Sequence, residues 1–215
     1  MSLETLLAIM RGVPITLFLT AASFALGAVA AIPLAVARRS NNRLLQLPAR
    51  AVIELFRGIP PIVWLFIIYF GFQDYVLLDP MTASVLGLGV ITAAYMAEIY
   101  RGGLASISQG QWEAATSLGM SQAATWTRII GPQVGRVSIP AAATYVIGLI
   151  KDTSVAFTIG VTDILYFARA QAADTNDALG PYLVAAAAYV VLTVPCAWGT
   201  RALDAKLRRK VVAVR

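Results

Sequence analysis

The run GVPITLFLTAASFALGAVAAIPLAVA, from Gly12 to Ala37, holds 26 residues without a single charge. A helix crossing the hydrocarbon core needs roughly 20 mostly apolar residues, so this stretch reads as a transmembrane helix. Two more uncharged runs are long enough on their own: Pro80–Ala97 (18 residues) and Ala178–Thr200 (23 residues). Gly58–Gln73 (16) and Val137–Ile150 (14) are shorter. They reach across by borrowing Ala49–Arg57 and Ile129–Arg136, whose charges can snorkel to the interface. Five spans result, near 12–37, 51–72, 80–100, 132–150 and 180–201. Composition agrees: the 215 residues are 59% hydrophobic and 13% charged, with a mean hydropathy of +0.73. No soluble fold of this size could hide that much apolar surface. The fold class is therefore an all-α integral membrane chain in one domain, 1–215.

Lysine and arginine set the orientation. With the N-terminus outside, the cytoplasmic pieces 38–57, 101–136 and 201–215 hold 14 of the 17 basic residues, and the C-terminus is cytoplasmic. The tail contributes Arg201, Lys206, Arg208, Arg209, Lys210 and Arg215. Only Arg11, Lys151 and Arg169 remain outside, beside Asp74, Asp79, Asp152, Asp163, Asp174 and Asp177. This distribution accounts for the net charge of +6 through anionic headgroups and needs no nucleic acid. The first apolar run is too long for a signal peptide, and Glu4 precedes its Arg11, so it is expected to stay on the chain. One cysteine and no histidine exclude a disulfide framework, a zinc or copper cage and the usual general base. Cys196, inside the fifth span, is expected to be a buried small apolar residue.

Gly102–Arg128 carries a polar group every few residues and reads as a cytoplasmic loop of helices. Ser108 can cap, Gln111 can complete a capping box, and Ile107 with Trp112 has hydrophobic-staple spacing. That helix runs through Leu118 and stops at Gly119. Ser121 can cap a second helix that lasts until Pro132 opens the fourth span. A helix pair lying on lipid and a docking surface for another protein both fit this pattern. Small Ala114 and Ala115 beside a lone acid, Glu113, favour close approach by a partner that supplies a cation.

Glu113-Ala114-Ala115, three residues, Gly119, nine residues, Ile129, one residue, then Gly131-Pro132 resembles the EAA loop of ABC-importer permease subunits. The spacing matches throughout, and only Gly131 departs, where that family usually has Leu. Further stretches resemble the polar-amino-acid branch: Glu54-Leu55-Phe56-Arg57-Gly58-Ile59-Pro60, Tyr69-Phe70-Gly71, Ala94-Tyr95-Met96-Ala97-Glu98-Ile99-Tyr100-Arg101-Gly102-Gly103, Gly110-Gln111-Trp112-Glu113 and Lys151-Asp152-Thr153-Ser154. The resemblance spans roughly residues 12–203. It implies the type I importer permease fold, with the loop 104–131 as a coupling helix seated in a cytoplasmic ATPase, Glu113 meeting a basic residue and Gly119 supplying the bend. It also implies two ATPase subunits that hold ATP and magnesium, a second permease copy or homologue, and an extracytoplasmic binding protein. The setting would be a bacterial cytoplasmic membrane. No cofactor is expected on this chain, which has no phosphate-binding loop of the form G-x-x-x-x-G-K-[ST].

Short spans broken by proline and glycine point to a translocation site. Spans two and four fit, with Gly58, Pro60 and Pro61 in one and Pro132, Gly135 and Pro140 in the other. Lys151, Asp152, Thr153 and Ser154 could satisfy a zwitterion or could be a solvated helix end; the resemblance favours lining, with Tyr95 as a further candidate. Glu54 with Arg57, and Glu98 with Arg101, can form i,i+3 pairs that anchor the helix ends or gate the path. Gly160-Val161-Thr162-Asp163 marks a turn before a short outer helix where a binding protein could dock. Trp64, Tyr69, Tyr189 and Trp198 read as belt or packing residues. A stand-alone transporter or channel is the alternative reading, but it would want a charge deep within a span, and none is present. An embedded enzyme lacks both a histidine and a plausible carboxylate pair.

Overall fold

The computed structural model describes residues 3–212, all-helical with no strand among them. Arg215 lies outside the described residues, as do the side chains of Arg208, Arg209 and Lys210. A short α1 (Leu3–Met10) leads into α2 (Gly12–Arg38), and together they form one apolar run of 36 residues. Then come α3 (Arg43–Gly58), α4 (Pro61–Gly71), α5 (Pro80–Ala105), α6 (Gln109–Ser117) and α7 (Gln122–Ala124). The last three are α8 (Gly131–Asp152), α9 (Ile164–Thr175) and α10 (Gly180–Val212). Among the described residues, four helical runs are long and apolar enough to cross a membrane, or five where the sharply bent pair α3–α4 is counted as one broken span.

Helices α2 and α5 form the centre, and their contact is the most extensive in the molecule. They run parallel: Leu19 packs with Ala83, Gly27 with Thr92, and Ala31 and Ala35 with Ala94 and Ala97. Small residues make this possible, since lipid gives helices no hydrophobic reason to associate and van der Waals approach must do the work. On α2 the buried stripe is Thr16, Thr20, Ser23, Gly27, Ala31 and Ala35, spaced three or four apart. A Cβ on Gly27 would collide with the Thr92 side chain. Thr20 and Thr92 are buried with their hydroxyls donating back to Thr16 O (2.8 Å) and Leu88 O (2.7 Å), so they add bulk without orphaned polarity.

Three of the outer acids are helix caps. Asp79 accepts from Met81 N and Thr82 N at the start of α5 (3.0 and 3.1 Å). Asp163 accepts from Tyr166 N at α9 (2.8 Å), and Asp177 from Leu179 N and Gly180 N at α10 (3.1 and 2.9 Å). A carboxylate there satisfies orphan amides and complements the helix dipole. Hydrogen bonding by Thr82 holds Asp79, and by the Gly180 amide holds Asp177, below the ordinary carboxylate range.

Two expected spans take different forms. The second is not one helix over 51–72: α3 and α4 meet at 104° across Gly58-Ile59-Pro60-Pro61. Two consecutive prolines lack amide donors and push the preceding residues out of helical geometry, and Ile59 is extended (φ −106°, ψ 135°). The fourth begins before Pro132, because the elbow's second helix is its foot. Gln122 to Ile159 forms one 38-residue run, wound more loosely as a π-helix from Thr125 to Ile130. Pro132 offers no N–H, and the Gly131 amide instead donates to Trp126 O, five residues back. A Cβ on Gly131 would lie 2.7 Å from that carbonyl. Cys196 is exposed on α10 rather than buried.

Candidate functional site

The cytoplasmic elbow is built from α6, Gly119 and the foot of α8. Gly119 takes a left-handed conformation (φ +67°) that favours glycine, and it reverses the chain there. Ser121 Oγ then accepts from Ala124 N (3.3 Å) and starts the next helix. The N-terminus of α6 differs from expectation. Ser108 has cap geometry (φ −65°, ψ 146°) but makes no side-chain cap bond. Gln111 does not close the box either, because its Oε1 accepts from Gln133 Nε2 on α8 (3.1 Å). Trp112 packs edge-on against Trp126 (5.3 Å between ring centroids), and the Arg39 guanidinium lies over the Trp112 ring at 5.3 Å. Helix α6 is thereby tied to the end of α2 and to the foot of α8. Glu113 and Ala114 are exposed, as are Ser117, Leu118, Gly119 and Pro132, but Ala115 turns inward and is buried. Of the two alanines expected at a partner surface, only Ala114 faces outward.

A second cluster lies within the membrane between α3, α5 and α8. Tyr95 stacks on Tyr145 at 5.1 Å, and the Tyr145 hydroxyl is 3.1 Å from Thr92 Oγ1. The Arg57 guanidinium sits 5.0 Å above the Tyr95 ring. Arg57 thus spends its charge on an aromatic face and not on Glu54, whose partner is Arg50 at 2.7 Å in i,i+4 register. The expected Glu54–Arg57 pair is therefore absent. Glu98 does pair with Arg101 (2.8 Å), and also with Arg38 at the end of α2 (3.9 Å). That arrangement joins the cytoplasmic ends of α2 and α5.

Lys151, Asp152, Thr153 and Ser154 do not act as one cluster. The chain tightens into a 3₁₀ turn from Thr153 to Ile159, and this buries Thr153 completely. Its hydroxyl donates to Ile150 O (2.8 Å) and is not offered to a cavity. Lys151 is exposed, and Asp152 and Ser154 are half-buried. Asp152 stands two helical turns beyond Tyr145 on α8. Tyr145 and Thr92 escaped the sequence reading, since each sits in an uncharged run and gains meaning only from its partner.

At the outer end, Gly160 (φ +99°) makes the expected turn. Asp163 is fully buried, not a docking contact. Tyr189 OH donates to Asp163 Oδ2 (3.3 Å), which gives Tyr189 a partner beyond belt packing. The Asp163–Ile164 backbone lies flush against Gly12, and Ile164 N donates to Thr16 Oγ1 (3.5 Å). Burial pushes the Asp163 carboxyl up to about 6.

Residues 23–209 match the family model described as "Binding-protein-dependent transport system inner membrane component". The chain is 36% identical over 190 residues to the probable amino-acid permease protein YxeN of Bacillus subtilis (strain 168), covering 86% of this chain and 85% of that one. It is 37% identical over 199 residues to the octopine transport system permease protein OccM of Rhizobium radiobacter, covering 88% and 81%. Among solved structures, an amino acid ABC transporter crystallised with histidines superposes with a TM-score of 0.85 at 30% identity, covering 93% of this chain and 94% of that one. With its spans, its glycine elbow and these relatives, the chain belongs to the family of inner-membrane components of binding-protein-dependent transport systems, as a multi-pass permease of an ABC importer.

Proposed function

We propose that this permease forms half of a translocation pathway for a polar amino acid or close analogue in a bacterial cytoplasmic membrane. A second copy or a homologous permease supplies the other half. Two cytoplasmic ATPase subunits hold ATP and magnesium, and an extracytoplasmic protein delivers the substrate. Relatives named for amino acids and octopine support the substrate class. The chemistry within the membrane agrees with it. Arg57, lying over Tyr95, offers a cation to a carboxylate, and Asp152 lies further along the same helix as Tyr145, which stacks on Tyr95.

The observation that carries the reading is the elbow: an exposed acid, Glu113, on a short helix whose far end turns at Gly119 and whose body is fastened to α2 and α8. Glu113 and Ala114 seat in the ATPase, Ala115 packs the helix against its own chain, and Pro132 shapes the foot of α8. Closure of the ATPases on ATP moves α6 and opens the outer mouth by alternating access. Glu98 and Arg101, with Arg38, anchor the inner end. Glu113→Lys should insert normally, lose the copurifying ATPase and abolish ATP-driven uptake in vesicles. Uptake at the parent rate by that variant would remove the docking role.

A further inference from the structure

Helix α3 divides its surface into three faces. At about 100° per residue, Arg43, Arg50, Glu54 and Arg57 fall within an arc of about 60°. The buried side is Ala49 and Ile53, flanked by Gln46 and Phe56. Ile53 lies in one packed cluster with Ala31 and Ala35 of α2 and Ala94, Met96 and Ala97 of α5. The remaining face is apolar and uncovered: Leu44, Leu45, Val52 and Leu55, with Leu44 82% and Leu55 51% exposed.

The 104° turn into α4 sets the orientation. With α4 standing in the bilayer, α3 lies nearly in the membrane plane at the inner surface, its buried face turned sideways onto α2 and α5. The two free faces then point in opposite directions. One places leucines among the acyl chains, and the other holds arginines at the headgroup level. This is the distribution of an interfacial helix, in which apolar burial and attraction to anionic lipid act together.

We infer that α3 is a binding surface for the headgroups of anionic phospholipids of the inner leaflet, with Arg43 and Arg50 as the phosphate ligands. Arg43 is exposed. Glu54 takes only Arg50 Nε, leaving both terminal amino groups of that guanidinium to donate to phosphate oxygens. Arg57 at the end of the stripe lies over Tyr95 and is not one of the phosphate ligands. The inference needs only that the chain spans a membrane, and it stands apart from the transport reading.

The test places a reporter on the lipid-facing side. Leu44→Trp in the full-length chain is reconstituted in bilayers containing brominated phosphatidylglycerol or brominated phosphatidylcholine. Tryptophan quenching is read after subtracting that of the parent. Quenching by the anionic lipid should exceed that by the zwitterionic lipid at least two-fold at equal mole fraction. The excess should vanish when Arg43→Gln and Arg50→Gln are added, and should survive Arg43→Lys with Arg50→Lys. Equal quenching by both lipids would overturn the inference, as would an excess that persists in the glutamine variant. No quenching by either would mean that the apolar face is covered by protein, and would overturn it too.

Discussion

Replacing Asp163 with asparagine should flatten one part of the protein's dependence on pH. Asp163 is fully buried where α9, α2 and α10 meet, and burial raises its carboxyl from the ordinary 3.8 to about 6. Hydrogen bonds from the Tyr166 amide and from Tyr189 pull the other way but do not restore the ordinary value. At about 1.4 kcal/mol per tenfold change in proton affinity, holding the ionised form in place costs about 3 kcal/mol. The sign follows from linkage. The folded state binds this proton more tightly than the unfolded chain does, so the contribution is fully present below 3.8 and is lost as pH rises through about 6. Between pH 5 and 7.5 the parent should lose about 1.4 kcal/mol from this group alone, which is roughly 3–6 °C of melting temperature in a domain of this size. The asparagine side chain would still accept from Tyr166 N, keeping the cap, but has nothing to titrate. Thermal melting of both proteins in mild detergent across that range is the assay. The variant should gain on the parent steadily as pH rises, while other titrations cancel in the difference. A difference that stays constant from pH 5 to 7.5 would refute the buried ionisation.

Gly27→Val puts branched carbons where the Thr92 side chain already sits, so α2 and α5 must separate; overpacking of this kind costs about 1–3 kcal/mol and should appear as a lower detergent melting temperature. Trp112→Ala removes both the Trp126 edge contact and the Arg39 cation–π contact, together about 1–2.5 kcal/mol. Uptake per ATP hydrolysed should fall in that variant while membrane insertion is unchanged, and an unaltered ratio would show that the fastening is not needed.

Sequence reading did best where the bilayer imposes a rule that composition must obey. Charge gaps locate the spans because a charge within the core is expensive, and α2, α5 and α10 start or end within a few residues of those gaps. Gly119 and Ser121 were legible because a positive φ and a helix start each demand a small set of residues. The same logic failed at Ser108 and Gln111. A capping box is one use of Gln111, but Gln133, 22 residues later in the chain and adjacent in space, claims its oxygen. Glu54 and Arg57 failed for a similar reason: i,i+3 spacing permits a pair, yet Arg50 on one side and Tyr95 on the other offer each a closer partner. The break at Gly58, Pro60 and Pro61 was legible from those residues, but its 104° angle was not, since apolar content says nothing about how far the chain turns. Thr153 was misread because a hydroxyl in a polar-looking quartet can be spent within its own turn.

The way the helices are fastened decides where a passage can open. Parallel α2 and α5 are pressed together at Gly27 and Thr92, and their inner ends are joined through Arg38, Glu98 and Arg101. Helix α8 is fixed to α5 twice: within the membrane by Tyr145 on Tyr95 and Thr92, and at the foot by Gly103 and Ser138, which touch so closely that a Cβ on Gly103 would strike the Ser138 hydroxyl. Ser138 Oγ also donates to Ile99 O at 3.5 Å. Helix α6 is held to this block from both sides, by Arg39 and by Gln133. A displacement of α6 is therefore passed to α2, α5 and α8 together, because prying them apart would break stacked rings, an ion-pair network and glycine-mediated contacts at once. Motion of a single rigid block opens nothing within itself; it opens a space between that block and whatever faces it. On the proposed transport reading, an aqueous route gated by α6 therefore runs along the outside of this block, and Arg57 over Tyr95 is the candidate for its wall.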